Sequence, residues 1–181
     1  MSIELRNDKE VEKLLSSKIS RAVEYTLDEI LKVYKKDIIM SVVYGAGAPS
    51  VYNRTGEFAE AWDTKVQSLN SSVLSKGEMF YDWESMNIGT VDEQDDNFGQ
   101  HIGVADPYGG VDARQYLADI IYQGTAGNAF GHGYWQQKRN AFDRLIKYIG
   151  KQRFRKWFNE GCEQAGLDSS WSGGLIVEYD A

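Results

Sequence analysis

Cysteine occurs once in these 181 residues, at Cys162, and histidine twice, at His101 and His132. A single thiol excludes an intrachain disulfide and a multi-cysteine zinc site. The three soft-ligand residues are scattered, with neither i,i+4 nor CxxC spacing, so no structural zinc is expected. Positive charge is in deficit. Lys and Arg number 20 against 27 Asp and Glu, for a formal net charge of −7. A protein whose main task is to coat nucleic acid is usually basic, which disfavours generic DNA binding. No apolar stretch approaches the ~20 residues that a membrane helix needs. The opening MSIELRNDKEVEKLL has acids among its early residues and reads neither as a secretory signal nor as an anchor. The expectation is a chain made in a cytoplasm that stays soluble or joins an assembly, without a membrane partner. Internal repeats and low-complexity segments are also lacking.

The usual marks of catalysis are missing too. There is no GxSxG elbow and no adjacent Cys/His signature. GTAGNAFGHG is rich in glycine but lacks the GK[ST] ending of a Walker phosphate loop. His132 sits between Gly131 and Gly133, where loop geometry is the simpler reason for its setting. Cys162 lies on an apolar stripe, the ordinary place for a buried structural thiol. The acidic run Asp92, Glu93, Asp95 and Asp96 lacks the alternating ligands and central glycine of an EF-hand loop. A solvated acidic loop is the simpler reading, with no metal and no cofactor expected. These residues point to a non-enzymatic protein.

What is present fits one domain, residues 1–181, with 42% hydrophobic and 13% aromatic residues to fill a core. From Asp8 to Val43 apolar residues recur at separations of three, four and one, which predicts a single long helix over 8–44. At 1.5 Å per residue such a helix would be about 50 Å long, so one end is expected to project or pack on a neighbour; a break near Leu27 is the alternative. Gly45, Gly47 and Pro49 stop it. Thr55 is placed as the N-cap of a short helix, GEFAEAW. TKVQSLNSSVLSKGEMFYDW then reads as a β-hairpin turning at Lys76-Gly77. Residues 84–110 form a long acidic loop. VDARQYLADIIYQG reads as a helix stopped by Gly124, and a final helix is expected from about Gln137 to Ala165, ended by Gly166 and weakened in its middle by Gly150. Leu175 to Val177, in the 167–181 tail, could add an edge strand. The class is α+β: a long N-terminal helix and a C-terminal amphipathic helix packed on a small, mostly antiparallel sheet, with long loops.

Charge is strongly segregated. Eight basic residues and one acid lie between Lys138 and Lys156, whereas Glu78 to Asp106 holds eight acids and no Lys or Arg. The two stretches could be solvated faces, could pair within one chain, or could join copies head to tail as in a ring. The basic helix could also face a DNA channel. On the ring reading the candidate inter-subunit contacts are Asp92, Glu93, Asp95 and Asp96 on one side and Lys147, Lys151, Arg155 and Lys156 on the other.

One order of motifs carries further. A long helix leads to Tyr52-x-Arg54-Thr55-Gly56, then to a short helix and a β-hairpin. A later helix runs into Ile120-Ile121-Tyr122-Gln123-Gly124, followed by an aromatic and basic stretch, Tyr134-Trp135 to Arg139, and a final amphipathic helix ending in Gly166. Over roughly Val11 to Leu167 this resembles the small neck, tail-completion and minor capsid proteins of tailed bacteriophages. In the short helix, Phe58-Ala59-Glu60-Ala61-Trp62 stands where that family usually carries leucine and serine. The resemblance implies a structural virion protein of the head–tail junction, made in the host bacterial cytoplasm. It implies a six- or twelve-fold homo-oligomeric ring between connector or head-closure proteins and the tail terminator or tail tube, with possible non-specific contact with the DNA passing through. The turn residues Tyr52, Arg54, Thr55 and Gly56 would then be architectural. A minor capsid protein of the head is the alternative, and a small metal-dependent hydrolase using the acidic loop with His101 or His132 is a third.

Overall fold

The computed structural model describes residues 8–45, 56–69, 74–86, 113–124 and 137–168. The chain is α+β, with a long N-terminal helix, a C-terminal helix and a two-stranded antiparallel sheet. Helix α1 spans Asp8–Val33 and passes directly into a π-helix, Tyr34–Tyr44. The short helix α2 (Glu57–Glu60) precedes strands β1 (Trp62–Leu69) and β2 (Leu74–Tyr81). Three-residue and four-residue 3-10 turns follow at Trp83–Ser85 and Ala113–Tyr116. Helix α3 is Leu117–Gln123 and helix α4 is Ala141–Gln164.

Several expectations need correction. The helical run is continuous through Leu27, but it is not α-helical to its end, because it changes hand-over pattern at Tyr34. The reason is in the buried positions. Tyr34, Ile38, Ile39 and Val43 are buried, and steps of four and five match the i→i+5 bonding of a π-helix. At 3.6 residues per turn the same face would carry Ser41 and Gly45 instead. Ser41 stays on the outside, its hydroxyl donating to the Asp37 carbonyl at 2.5 Å. The hairpin does not turn at Lys76-Gly77, since both residues lie inside β2. The short helix is shorter than GEFAEAW, and Trp62 already opens β1. Trp83, read as a strand residue, starts a 3-10 turn.

The final helix begins at Ala141 rather than near Gln137, and a cap explains why. Asn140 Oδ1 accepts from the Asp143 backbone N–H at 3.0 Å, and Asn140 Nδ2 donates to Asp143 Oδ2 at 2.7 Å. This is a reciprocal helix-start lock built from Asn and Asp. The same helix ends in a six-residue closure. Leu167 N–H donates to Cys162 O at 2.8 Å and Gly166 N–H to Glu163 O at 3.0 Å, with Gly166 at φ 69°. Those are the two bonds of a Schellman motif. Lys18 Nζ donates to Gly166 O at 2.8 Å, setting a cation where the helix dipole is negative.

Contacts sort the chain into two compact units. One comprises residues 1–32, 64–80 and 146–181. Within it α1 meets both the hairpin and the C-terminal part of α4. A Cβ on Gly77 would sit 2.7 Å from Leu27 Cδ1 and 2.8 Å from Val23 Cγ1, and one on Gly161 would sit 2.6 Å from Ala22 O. Absent side chains therefore let the backbones approach. Ser20 Oγ lies 2.9 Å from Ser68 Oγ and 2.8 Å from Ser75 Oγ, tying α1 to both strands. The buried Thr26 returns its hydroxyl to Ala22 O at 2.7 Å, so no polar atom is stranded there.

The second unit comprises residues 33–63 and 81–145. Its centre is aromatic. The Tyr34 ring meets Trp62 edge-on at 5.1 Å and stacks on Phe142 at 5.3 Å. Tyr122 packs on Phe142 at 5.1 Å, and Phe58 and Tyr81 close the group around Trp62. Ile38, Ile39, Val43, Ile121 and Leu145 are among the other buried residues of this unit. Edge-to-face and offset pairs of this kind contribute about 0.5–1.5 kcal/mol each beyond their burial.

Candidate functional site: an exposed basic face

The residues singled out from the sequence divide into those the structure describes and those outside it. Tyr52, Arg54, Thr55, Asp92, Glu93, Asp95, Asp96, His101, His132 and the 175–177 segment lie outside the described residues. Gly56 is described and takes φ 87°, a left-handed conformation. It occupies the capping position assigned to Thr55, and its carbonyl accepts from Ala59 N–H at 2.9 Å. The cap is thus made by backbone, with no side-chain hydrogen bond at that position.

Lys147, Lys151, Arg155 and Lys156 are all described, all on α4, and all exposed. The local sequence explains that placement. Trp157, Gly161, Cys162 and Ala165 recur at four, one and three residues and are buried, so they form the inward stripe. The cations occupy the other face. Gly150 interrupts the helix with φ 50° and ψ 179°, a conformation that a residue with a Cβ rarely adopts. Lys147 precedes this break, and Lys151 opens the helical stretch after it.

The basic residues are not equivalent. Arg153 lies over the Tyr148 ring at 3.9 Å to the centroid and also donates to the Tyr148 carbonyl, a cation–π arrangement. Lys156 Nζ is 3.7 Å from Glu160 Oε1, and Tyr25 OH donates to Glu160 Oε2 at 3.5 Å. Desolvation, with the nearby Glu160 and Glu29 carboxylates, holds the Tyr25 phenol above its usual range. Arg139, counted in the basic stretch by sequence, is buried in the other unit and adds nothing to an exposed face. Among the described residues, Lys147, Lys151 and Arg155 have no ion-pair partner. Beside them Gln152, Arg155, Lys156, Asn159, Glu160 and Glu163 line a shallow surface depression.

Sequence reasoning located the stripe but missed what sorts it. The Lys156–Glu160 pair has i,i+4 spacing and was readable. The Tyr148–Arg153 pair spans the Gly150 break, so helical spacing does not announce it. Chemically the surface offers exposed positive charge on both sides of the Gly150 break, suited to holding an anionic group. Cys162 contributes no reactivity to it, because the thiol is buried and burial pushes its pKa up. Among the described residues no three or more His, Cys, Asp or Glu gather as metal ligands, and no helix is long and apolar enough to cross a membrane.

Comparison with protein-family models, with curated proteins and with solved structures returned no match for this chain.

Proposed function

We propose that this chain is a non-enzymatic structural protein of the head–tail junction of a tailed bacteriophage. It acts as a neck or tail-completion protein in a homo-oligomeric ring of six or twelve copies. One side of the ring meets the connector or head-closure proteins, and the other meets the tail terminator or tail tube, around the path of the DNA. The observation that carries the reading is the order of motifs along the chain: long helix, Tyr-x-Arg-Thr-Gly, short helix, hairpin, Gly-stopped middle helix and amphipathic final helix. Two local features are in keeping with it. Gly56 opens the short helix with φ 87°, and Gly124, at φ 72°, closes α3 with its N–H donating to Ile120 O at 3.0 Å.

The test uses particles. Virions that carry the protein are labelled with antibody and imaged, and the coding sequence is disrupted in parallel. The expected result is label at the junction, with filled heads and finished tails left unjoined by the disruption. Label on tailless heads, with normal joining after disruption, supports a minor capsid protein instead. Particles that never contain the protein overturn the reading.

A further inference from the structure

We infer that α4 is a two-state element: Arg153 latches it open at Gly150, and a multiply charged oxyanion bound along Lys147, Lys151 and Arg155 selects the continuous helix. The open state begins with one residue. Gly150 has φ 50° and ψ 179°, a combination essentially reserved to glycine. An α-helical bond from a carbonyl to the N–H four residues on needs helical dihedrals at the three residues between. The bonds from the carbonyls of Lys147, Tyr148 and Ile149 to the N–H groups of Lys151, Gln152 and Arg153 all span Gly150. With that residue outside the helical region, none of them can take α-helical geometry.

Arg153 takes one of the released carbonyls. Its guanidinium donates to the Tyr148 carbonyl and lies over the Tyr148 ring, 3.9 Å from the centroid. A side-chain donor from beyond the break therefore stands in for the Gln152 N–H. In a continuous helix, residues five apart point about 140° away from each other, so the Arg153–Tyr148 contact belongs to the open state alone. Closing the helix forfeits that contact and recovers three backbone bonds. Glycine is also the poorest helix former after proline, which weighs on the same side as the latch.

The closed helix makes something that the open one lacks. Lys147, Lys151 and Arg155 are exposed and follow at intervals of four residues, so a continuous α4 sets them in one row, about 6 Å apart along the axis. With the break open, only Lys151 and Arg155 share a helical stretch, because Lys147 precedes Gly150. An oxyanion with several charges reaches all three cations in the closed state and fewer in the open one. That difference in affinity is what shifts the population. Arg155 offers paired N–H donors, and the two lysines act as point charges. Lys156 is engaged by Glu160 Oε1 at 3.7 Å and stands outside the row.

Amide hydrogen exchange on the full chain reads both states at Lys151, Gln152 and Arg153, whose helical bonds form only on closure. Protection there is expected to be lower in wild type than at Asn159, Glu160 and Gly161 of the same helix. Arg153→Gln should raise it about tenfold, the factor implied by losing a contact of cation–π strength. Tyr148→Phe keeps the ring and the carbonyl and should leave it unchanged. Tripolyphosphate, set against sodium chloride of equal ionic strength, should raise protection in wild type. Lys147→Gln should match wild type without tripolyphosphate and lose the response to it, since Lys147 joins the row only on closure. Circular dichroism and melting on every variant separate a shift between states from loss of fold. Three results overturn the inference. Wild-type protection at Lys151–Arg153 equal to that at Asn159–Gly161 would mean that α4 is not open. Unchanged or lower protection in Arg153→Gln would remove the latch. No response to tripolyphosphate, or the same response in wild type and Lys147→Gln, would remove the coupling to the row. None of these readouts involves particles, so their failure leaves the junction reading standing.

Discussion

The phenol of Tyr34 hydrogen-bonds the phenol of Tyr122, joining residues 88 positions apart inside the aromatic centre of their unit. Tyr34 is fully buried, and burial is the first cause raising the pKa of both groups above the ordinary 10.0. Each hydroxyl is therefore satisfied chiefly by the other, in surroundings that disfavour a phenolate.

Replacing both partners should cost less than the two single replacements added together. Tyr34→Phe leaves the Tyr122 hydroxyl without its bond, a loss of about 1–3 kcal/mol. In the double Phe variant no hydroxyl is stranded, so its loss should fall below the sum of the two single losses. Urea titrations of the four proteins in this cycle supply the comparison. Strict additivity would show that the two hydroxyls do not depend on each other.

The same pair sets a response to alkali. A folded pKa raised above the unfolded value means that the neutral phenols stabilise the fold fully below pH 10. That contribution is lost as pH rises through the folded-state values, because the unfolded chain gives up its protons first. Stability should therefore decline above pH 10, and the double Phe variant should decline less steeply. Melting temperature measured between pH 8 and 11.5 on both proteins checks the sign.

Two glycines under α1 should respond differently to the same change. A Cβ at Gly161 meets the backbone of Ala22, with the oxygen at 2.6 Å and Cα at 3.1 Å. The backbone must move, so Gly161→Ala is expected to destabilise by about 1–3 kcal/mol despite the helix propensity gained. At Gly77 the obstacle is the side-chain tips of Leu27 and Val23, which can rotate aside, and the loss should be smaller. Denaturation midpoints in the opposite order would mean that the Gly161–Ala22 approach is not as close as described.

Cys162 supplies a reporter for the same unit. The thiol is buried and its pKa raised by desolvation, so a disulfide-exchange reagent should label it slowly in native protein at pH 8. Labelling should become fast in denaturant, and Gly161→Ala should speed it by destabilising the adjoining turn. Rapid stoichiometric labelling of native protein would contradict the packing of α4 on α1.

Gly150 has room for a Cβ, with nothing within 4 Å, but its φ of 50° is strained for any residue that carries one. Gly150→Ala should therefore lose about 1–3 kcal/mol if the break persists. The alternative is that α4 closes into a continuous helix, with a stronger helical signal by circular dichroism. Only the closed helix changes how Lys147 stands relative to Lys151. Unchanged stability and helicity together would remove any role for the break.

Much of the architecture could be read from local pattern. The apolar stripe of α1, the Gly124 and Gly166 stops and the α+β class follow from spacing and from residues that end helices, because those signals act within a turn or two of chain. The Asn140–Asp143 lock is a local N-cap motif as well, although apolar spacing alone predicts the helix start near Gln137. Tertiary packing decided the rest. The buried steps from Tyr34 to Val43 favour a π-helix, and Lys76-Gly77 lies within a strand because Gly77 admits the Leu27 and Val23 side chains. Which cations on α4 remain unengaged depends on Glu160, Tyr148 and the Gly150 break together. Periodicity along one element carries information about that element's inward face; it carries none about which distant residue will meet it, and the Tyr34–Tyr122 bond is decided entirely by that meeting.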